Sequence, residues 1–398
     1  MLIAHQIALD PNNVQATYLA KACGVARFAY NWALAEWQKQ YEEHKKDPLK
    51  PKPSEGSLRR LLNSIKQEQF PWMLEVTKNA PQMAIIQLGK AFKNFFSGRA
   101  KYPKSRKKGM HDRFTLTNDQ FDVDDYRIRI PHLGWMRMRE KLRFSGKILS
   151  ATISRIADRW FVSVAVEISD TPKSKTPSDV AVGVDLGVTA LATLSTGEKH
   201  ISPKPHTKLL RRLKRLSKAL SRKIKGSKNR VKAKIKLARL YSRIANIRRD
   251  VIHKITTGLA RRFETLCIED LNVRKMVKNR YHARSISDMG FHEFSRQLKY
   301  KTAWAGNTLV IANRFFPSSK TCSCCGHVLA VLPLAIRNWD CPVCSSSHDR
   351  DINAAKNLAA YAVSSTVKAC GGSSSGLADI LHGETAPVKQ EVNVNIYL

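Results

Sequence analysis

The chain has 398 residues, enough for two to three domains at roughly 100–200 residues each. Hydrophobic residues make up 43% and charged residues 25%, which excludes a wholly disordered chain. Sixty-nine Lys and Arg face 32 Asp and Glu, for a formal charge of +37, and a surface that positive attracts polyanions, nucleic acid first.

The chain opens with an apolar stretch from Ile3 to Leu9, closed by Asp10-Pro11-Asn12-Asn13, which reads as a strand and a turn. From Val14 to about Lys46, Leu19, Cys23, Ala26, Tyr30, Ala33 and Trp37 recur at helical spacing. A break over 48–53 follows, and further helices are predicted over 57–67 and 79–96. Residues 102–109 form a basic loop. Segments 114–117, 127–130, 148–153 and 160–166 alternate as half-buried strands do, in a small antiparallel barrel or sheet. Residues 170–179, rich in Pro, Ser and Thr, read as a linker.

The run 180–185 is nearly all apolar, the mark of a strand buried on both faces, and it ends on Asp185. Short strands are expected over 190–194 and 199–201, around a Thr196-Gly197 turn. A long helical pair spans 207–263, broken at Gly226-Ser227. Between Pro203 and Arg262 there are 22 Lys or Arg and one acid, Asp250. A solvated helix face is the ordinary reading of a charge run, but this imbalance of sign favours a nucleic-acid contact. Residues 265–269 form another buried strand with a terminal acid, Glu269. From Val363 onward, with Ser364-Ser365 and the run Gly371-Gly372-Ser373-Ser374-Ser375-Gly376, order signals are low and a flexible tail is expected. No run reaches the roughly 18 apolar residues of a membrane-spanning helix, and the N-terminus has no secretion-signal pattern.

Five of the eight cysteines fall within 23 residues. Cys322 with Cys325, and Cys341 with Cys344, make two C-x-x-C pairs separated by 15 residues. Two such knuckles supply four thiolates to one tetrahedral Zn(II), with Cys324 a bystander. Gly326 suits the tight turn of the first knuckle.

The acids form the second constellation. Asp185 and Glu269 each end an apolar strand, where an uncompensated carboxylate is costly. Asp349-Arg350-Asp351 opens a predicted helix. Each acid alone fits a turn, a salt bridge or a helix N-cap. Together, two strand ends and a helix can hold two Mg(II) ions about 4 Å apart for phosphodiester hydrolysis. The element order, a strand, two short strands, helices, a strand and a helix, is that of an RNase H-like fold.

Gly183-Val184-Asp185-Leu186-Gly187-Val188, Ile268-Glu269-Asp270-Leu271-Asn272, the double C-x-x-C and His348-Asp349-Arg350-Asp351-Ile352-Asn353-Ala354-Ala355-Lys356-Asn357 resemble the split RuvC motifs of the transposon-encoded TnpB family. That family is related to the compact type V CRISPR effectors. Gly24 to Asn31, Phe316 to Cys322 and Ser285 to Asp288 also resemble it, so the likeness spans about residues 1–360.

The resemblance implies an α+β multidomain protein. An N-terminal wedge-like β-barrel (1–12 and 102–172) would carry an inserted helical recognition lobe (13–101). An RNase H-like RuvC nuclease domain (179–315 and 347–362) would be interrupted by a zinc ribbon (316–346), before a flexible tail (363–398). The implied activity is RNA-guided, Mg(II)-dependent cleavage of double-stranded DNA beside a short flanking motif. Its guide RNA would come from the transposon end, and its setting would be the prokaryotic cytoplasm, at the nucleoid when bound to DNA. The family's D-x-N-A-A motif selects Asp351 over Asp349, so Asp185, Glu269 and Asp351 become the expected magnesium ligands. Arg350 is a candidate phosphate contact, and Lys78 and Gln82 are candidate DNA contacts. A self-sufficient single-strand transposase fits poorly, for want of a His-x-His metal pair. An accessory or DNA-binding regulator without cutting would be expected to lack an acid, and all three are present.

Overall fold

The computed structural model describes residues 1–169 and 181–369, in two compact units that divide between these stretches. The expected linker lies outside the described residues, as does the chain beyond Ala369. No helix among the described residues is long and apolar enough to cross a membrane.

The first unit begins with β1 (Leu2–Leu9), followed by α1 (Asn13–Lys46), α2 (Glu55–Gln69) and α3 (Asn79–Phe96). Asn12 starts α1 through a reciprocal capping box with Gln15. The helix ends at Asp47, just before Pro48, as the restricted backbone preceding a proline requires. Its apolar face buries Leu19, Ala22, Ala26, Ala29 and Ala33, and small residues there allow close approach to α3. Trp37 stacks on Phe92 of α3 at 4.2 Å between ring centroids.

The strands of this unit are β2 (Arg113–Thr117), β3 (Asp122–Asp124), β4 (Arg127–Ile130), β5 (Gly134–Arg137), β6 (Lys147–Ile156) and β7 (Arg159–Glu167). They form a four-stranded antiparallel sheet in the order β1-β7-β6-β2 and a three-stranded sheet β3-β4-β5. A single bridge, Leu9 to Met138, joins the two. The expected barrel or sheet is therefore present as two linked antiparallel sheets. Both turn alternate residues inward, Val162, Val164 and Val166 from one and Ile128 and Ile130 from the other.

The second unit contains β8 (Val182–Asp185), β9 (Ala192–Leu194), β10 (Lys199–His200), α4 (Pro205–Lys208), α5 (Leu210–Ser221), α6 (Lys228–Arg262), β11 (Thr265–Glu269), α7 (Val273–Met276), α8 (Ala283–Met289), α9 (Phe291–Ala305), β12 (Thr308–Ala312), β13 (Asn338–Asp340), β14 (Ser347–Asp349) and α10 (Arg350–Ala369). One five-stranded sheet has the order β10-β9-β8-β11-β12. β8, β11 and β12 run parallel, and β9 is antiparallel to β8.

The β8 run is apolar because both faces are covered. Val182 and Val184 pack with Leu259, Phe291, Phe294 and Leu298 of α6 and α9. The opposite face, at Gly183 and Cys267, lies under α10. A Cβ on Gly183 would fall 1.9 Å from the Ala355 carbonyl oxygen, so only glycine admits the helix backbone this close.

The stretch from residue 363, expected to be part of a flexible tail, is helical as far as it is described. α10 continues to Ala369, and the Ser364 and Ser365 hydroxyls donate back to the Ala360 and Tyr361 carbonyls within the helix. Serine-rich composition therefore did not mark the helix end.

Candidate functional site

The parallel register pairs Cys267 with Gly183 and Ile268 with Val184. The next residues along each strand are Glu269 and Asp185, which end neighbouring strands at the same edge of the sheet. Asp351 comes to them from the first turn of α10, the helix that lies on Gly183. Burial drives the Asp185 carboxyl well above the ordinary carboxylate range, and the charges of Glu269 and then Asp351 push it further. Arg350 and Arg337 act in the opposite direction. Three mutually repelling acids at the end of a sheet make a site that a cation would relieve.

Each of the other two acids is oriented by a neighbour. The Ser318 hydroxyl donates to Glu269, and Arg337 Nη1 lies 3.2 Å from the Asp351 carboxylate. Asp349 has a different environment. Its Oδ1 accepts the amides of Asp351 and Ile352, both at 3.0 Å, which caps α10, and Lys199 Nζ sits 2.8 Å from Oδ2. Burial alone would raise the Asp349 carboxyl, but Lys199 and the two amides outweigh it and hold it below the usual range.

The Arg350 guanidinium is engaged, donating to the Pro333 carbonyl at 2.7 Å. Lys78 and Gln82 lie one turn apart at the start of α3, with Lys78 exposed and Gln82 partly so. Between them, Asn79 is buried and donates to Thr117 Oγ1.

The cysteines form two knuckles of matching geometry. The Gly326 amide donates to the Cys322 carbonyl and the Ser345 amide to the Cys341 carbonyl, each at 2.9 Å. Gly326 and Ser345 both adopt positive φ, 78° and 55°, to close these turns. Cys322, Cys325, Cys341 and Cys344 have sulfurs within 4.8 Å of one another, and the Cys322–Cys344 and Cys325–Cys341 separations are both 3.6 Å. A tetrahedron with 2.3 Å Zn–S bonds has edges of about 3.8 Å, so the four thiols fit one zinc ion. Burial raises the Cys322 thiol, yet hydrogen bonds from Ser346 and the knuckle amides outweigh it and bring it down to about 4. His348 Nε2 also approaches Cys322 Sγ, at 3.1 Å.

Sequence reasoning missed the side chains that tie this cluster to the acids. Asn353 and Asn357 are buried on α10. Asn353 donates to the Thr321 carbonyl at 2.7 Å and accepts from the Ser323 amide at 2.9 Å. Asn357 donates to the carbonyls of Ser318 and Thr321. The helix that carries Asp351 is thus clamped to the lead-in of the first knuckle. The two asparagines stand four apart in the 348–357 motif, and that spacing, one helical turn, was the available signal.

A sheet in this order, with acids at adjoining strand ends and a helix laid across it bearing a third, has the element order expected of an RNase H-like fold. Comparisons with known proteins agree. A family model described as "Probable transposase" (OrfB of IS605) matches residues 163–280, and a Cas12f1-like TNB domain model matches 291–358. A model described as "Helix-turn-helix domain" matches residues 1–46, where the structure has β1 and a single uninterrupted helix. A Streptomyces pristinaespiralis protein named "Putative RNA-guided DNA endonuclease" is 39% identical over 91% of this chain and 89% of its own length. An Escherichia coli (strain K12) protein named "Putative RNA-guided DNA endonuclease InsQ" is 33% identical, over 93% and 94%. In fold, the chain is similar to the Cas12f1 of a complex with sgRNA and target DNA, with a TM-score of 0.57 at 16% identity, covering 88% of this chain and 83% of that one. The chain belongs to the TnpB family of OrfB-type, transposon-associated proteins.

Proposed function

We propose that this chain is an RNA-guided DNA endonuclease that hydrolyses phosphodiester bonds at a two-magnesium centre. The observation that carries this reading is the coupling of half-buried Asp185 to Glu269 and Asp351. Full-length relatives named as RNA-guided DNA endonucleases supply the guide and the substrate class. Asp185, Glu269 and Asp351 would hold the ions. Bound there, two divalent ions supply an activated water and charge stabilisation for the leaving oxygen.

The protein's own groups prepare that site. Burial and two acidic neighbours favour a neutral Asp185 carboxyl until a cation binds. Ser318 fixes Glu269, and Arg337 holds Asp351 ready at the start of α10. Cys322, Cys325, Cys341 and Cys344 would bind one structural Zn(II) in a ribbon over 316–346. The two linked sheets of the first unit serve as the wedge-like barrel, with α1, α2 and α3 as the inserted recognition lobe. Lys78 and Gln82 would contact the short duplex motif beside the target.

Two expected outcomes test this reading. Nucleic acid co-purified from cells carrying the native locus should contain one discrete RNA ending in a variable guide. The loaded protein should then cut a matching plasmid in Mg(II). Heterogeneous RNA and unguided cutting would replace the guided reading with a simple metal-dependent nuclease. For the acids, Asp349→Ala should cost about 1 kcal/mol through the missing cap and leave cleavage within about tenfold. Asp351→Ala should abolish cleavage. Equal losses in both variants would remove the distinction between cap and ligand.

A further inference from the structure

We propose that Cys322, Cys324 and His348 form a second metal site, for a thiophilic cation of the Zn(II) type, in which the Cys322 thiolate is shared with the four-cysteine ion. This rests on the four-thiol reading above and adds a neighbouring ion to it. The sulfurs of Cys322 and Cys324 and a ring nitrogen of His348 all lie within 4.8 Å of one another. His348 Nε2 is 3.1 Å from the Cys322 sulfur.

Two elements bring these donors together. Cys322 and Cys324 belong to the first knuckle, where the amide of the intervening Ser323 donates to Asn353 Oδ1 at 2.9 Å. His348 sits on β14 opposite Trp339 of β13, and its buried ring lies 4.7 Å from the Trp339 ring. That packing holds the imidazole in place. Cys322 is buried and Cys324 exposed, so the site has a closed back and an entry path from solvent.

Charge and valence favour a second ion here. Four thiolates around one Zn(II) leave two negative charges in excess, which a neighbouring cation offsets. A thiolate bound to one ion keeps lone pairs and can bridge to another. A tetrahedral ion with Zn–S of about 2.3 Å and Zn–N of about 2.05 Å has an S···N edge of about 3.6 Å. His348 therefore backs away from Cys322 by about half an ångström. Ser346 Oγ, 2.9 Å from Nε2, gives up that contact and keeps Cys344 Sγ at 3.1 Å.

The donor set selects the class of ion. Two thiolates and an imidazole suit Zn(II) and its soft relatives and not Mg(II), which takes oxygen ligands. Three protein donors leave a fourth position for water. The second ion is held more weakly than the first, which has four thiolates, so the chain as purified carries one zinc. His348 directly precedes Asp349, the cap of α10, so an ion here is anchored to the helix that carries Asp351.

The test adds Cd(II), a thiophilic probe, to the zinc-loaded full chain in excess Mg(II), which occupies the acid cluster. Bound cadmium, released zinc and the thiolate-to-cadmium charge-transfer absorption are measured together. One Cd(II) per chain should bind with that absorption and without loss of zinc. Cys324→Ser should keep its zinc and lose this binding. His348→Gln should weaken it by about tenfold or more, the least expected when even a group behind a metal ligand is lost. If His348→Gln does not fold, Cys324→Ser, a change at an exposed side chain, still decides. No cadmium uptake beyond the zinc overturns the proposal and leaves His348 a hydrogen-bond partner of Cys322. Uptake that only displaces zinc, or that is unchanged in Cys324→Ser, overturns it as well. Failure of the four-thiol reading is separate, because the chain would then purify without zinc, and the shared thiolate would fall with it.

Discussion

Asp185→Asn is expected to reduce DNA cleavage by about a thousandfold or more while guide-directed DNA binding persists. The substitution removes a charge from the centre of the acid cluster and leaves the surfaces that grip nucleic acid untouched. It should also stabilise the metal-free protein at neutral pH. The Asp185 carboxyl is raised in the folded state, so its proton favours folding. That contribution is complete below the ordinary carboxylate value of about 3.9 and is lost as pH rises through the folded-state value, at about 1.4 kcal/mol per unit of separation. The metal-free parent should therefore lose stability as pH climbs from about 4 towards its shifted value, and the asparagine variant should lack that slope. Mg(II) should raise the melting temperature of the parent more than that of the variant. Unchanged cutting would remove Asp185 from the centre, and identical pH slopes would remove the carboxyl strain.

Cys341→Ser is expected to lower bound zinc from one per chain to near zero. Structural zinc sites are worth about 10–16 kcal/mol in free peptides, and much of that free energy is folding free energy. The damage should extend beyond the ribbon. Asn353 and Asn357 hang α10 from the Ser318–Thr321 carbonyls, and Arg337 reaches Asp351 from the same segment. A ribbon without metal releases these anchors, so cleavage should fall with zinc content while guide RNA remains bound. Metal analysis of the purified chain decides the first part. A full zinc complement in the variant would sink the four-cysteine assignment.

Much of this arrangement was legible in the sequence, and the reasons differ between elements. The acid-ended apolar runs at 182–185 and 265–269 stood out because a charge at the end of a doubly buried strand is hard to explain otherwise. The paired C-x-x-C motifs were legible because metal geometry fixes their spacing. The Gly226-Ser227 break lies between α5 and α6, where Gly226 takes φ of 86°. β12 was missed because it ends on Ala312 and carries no acid, so nothing marked it beyond a short apolar run. β13 and β14 have three residues each, and pairing across the ribbon, not local preference, makes them strands. Asp349 and Asp351 could not be separated by chemistry alone, since both can cap a helix. The family motif favoured Asp351, and the cap hydrogen bonds of Asp349 give that preference a physical basis.

The bare backbone at Gly183 also bears on how the protein is made. A ribosome delivers Asp185 first, Glu269 later and Asp351 only near the end of the described chain. Until α10 emerges, the face of β8 at Gly183 has nothing lying on it, and the half-made sheet holds two acids without the third. On the proposed assignment, a nascent chain therefore lacks a complete magnesium site until Asp351 has been added. Translation itself keeps the blade sheathed until the helix that carries Asp351 closes over the glycine.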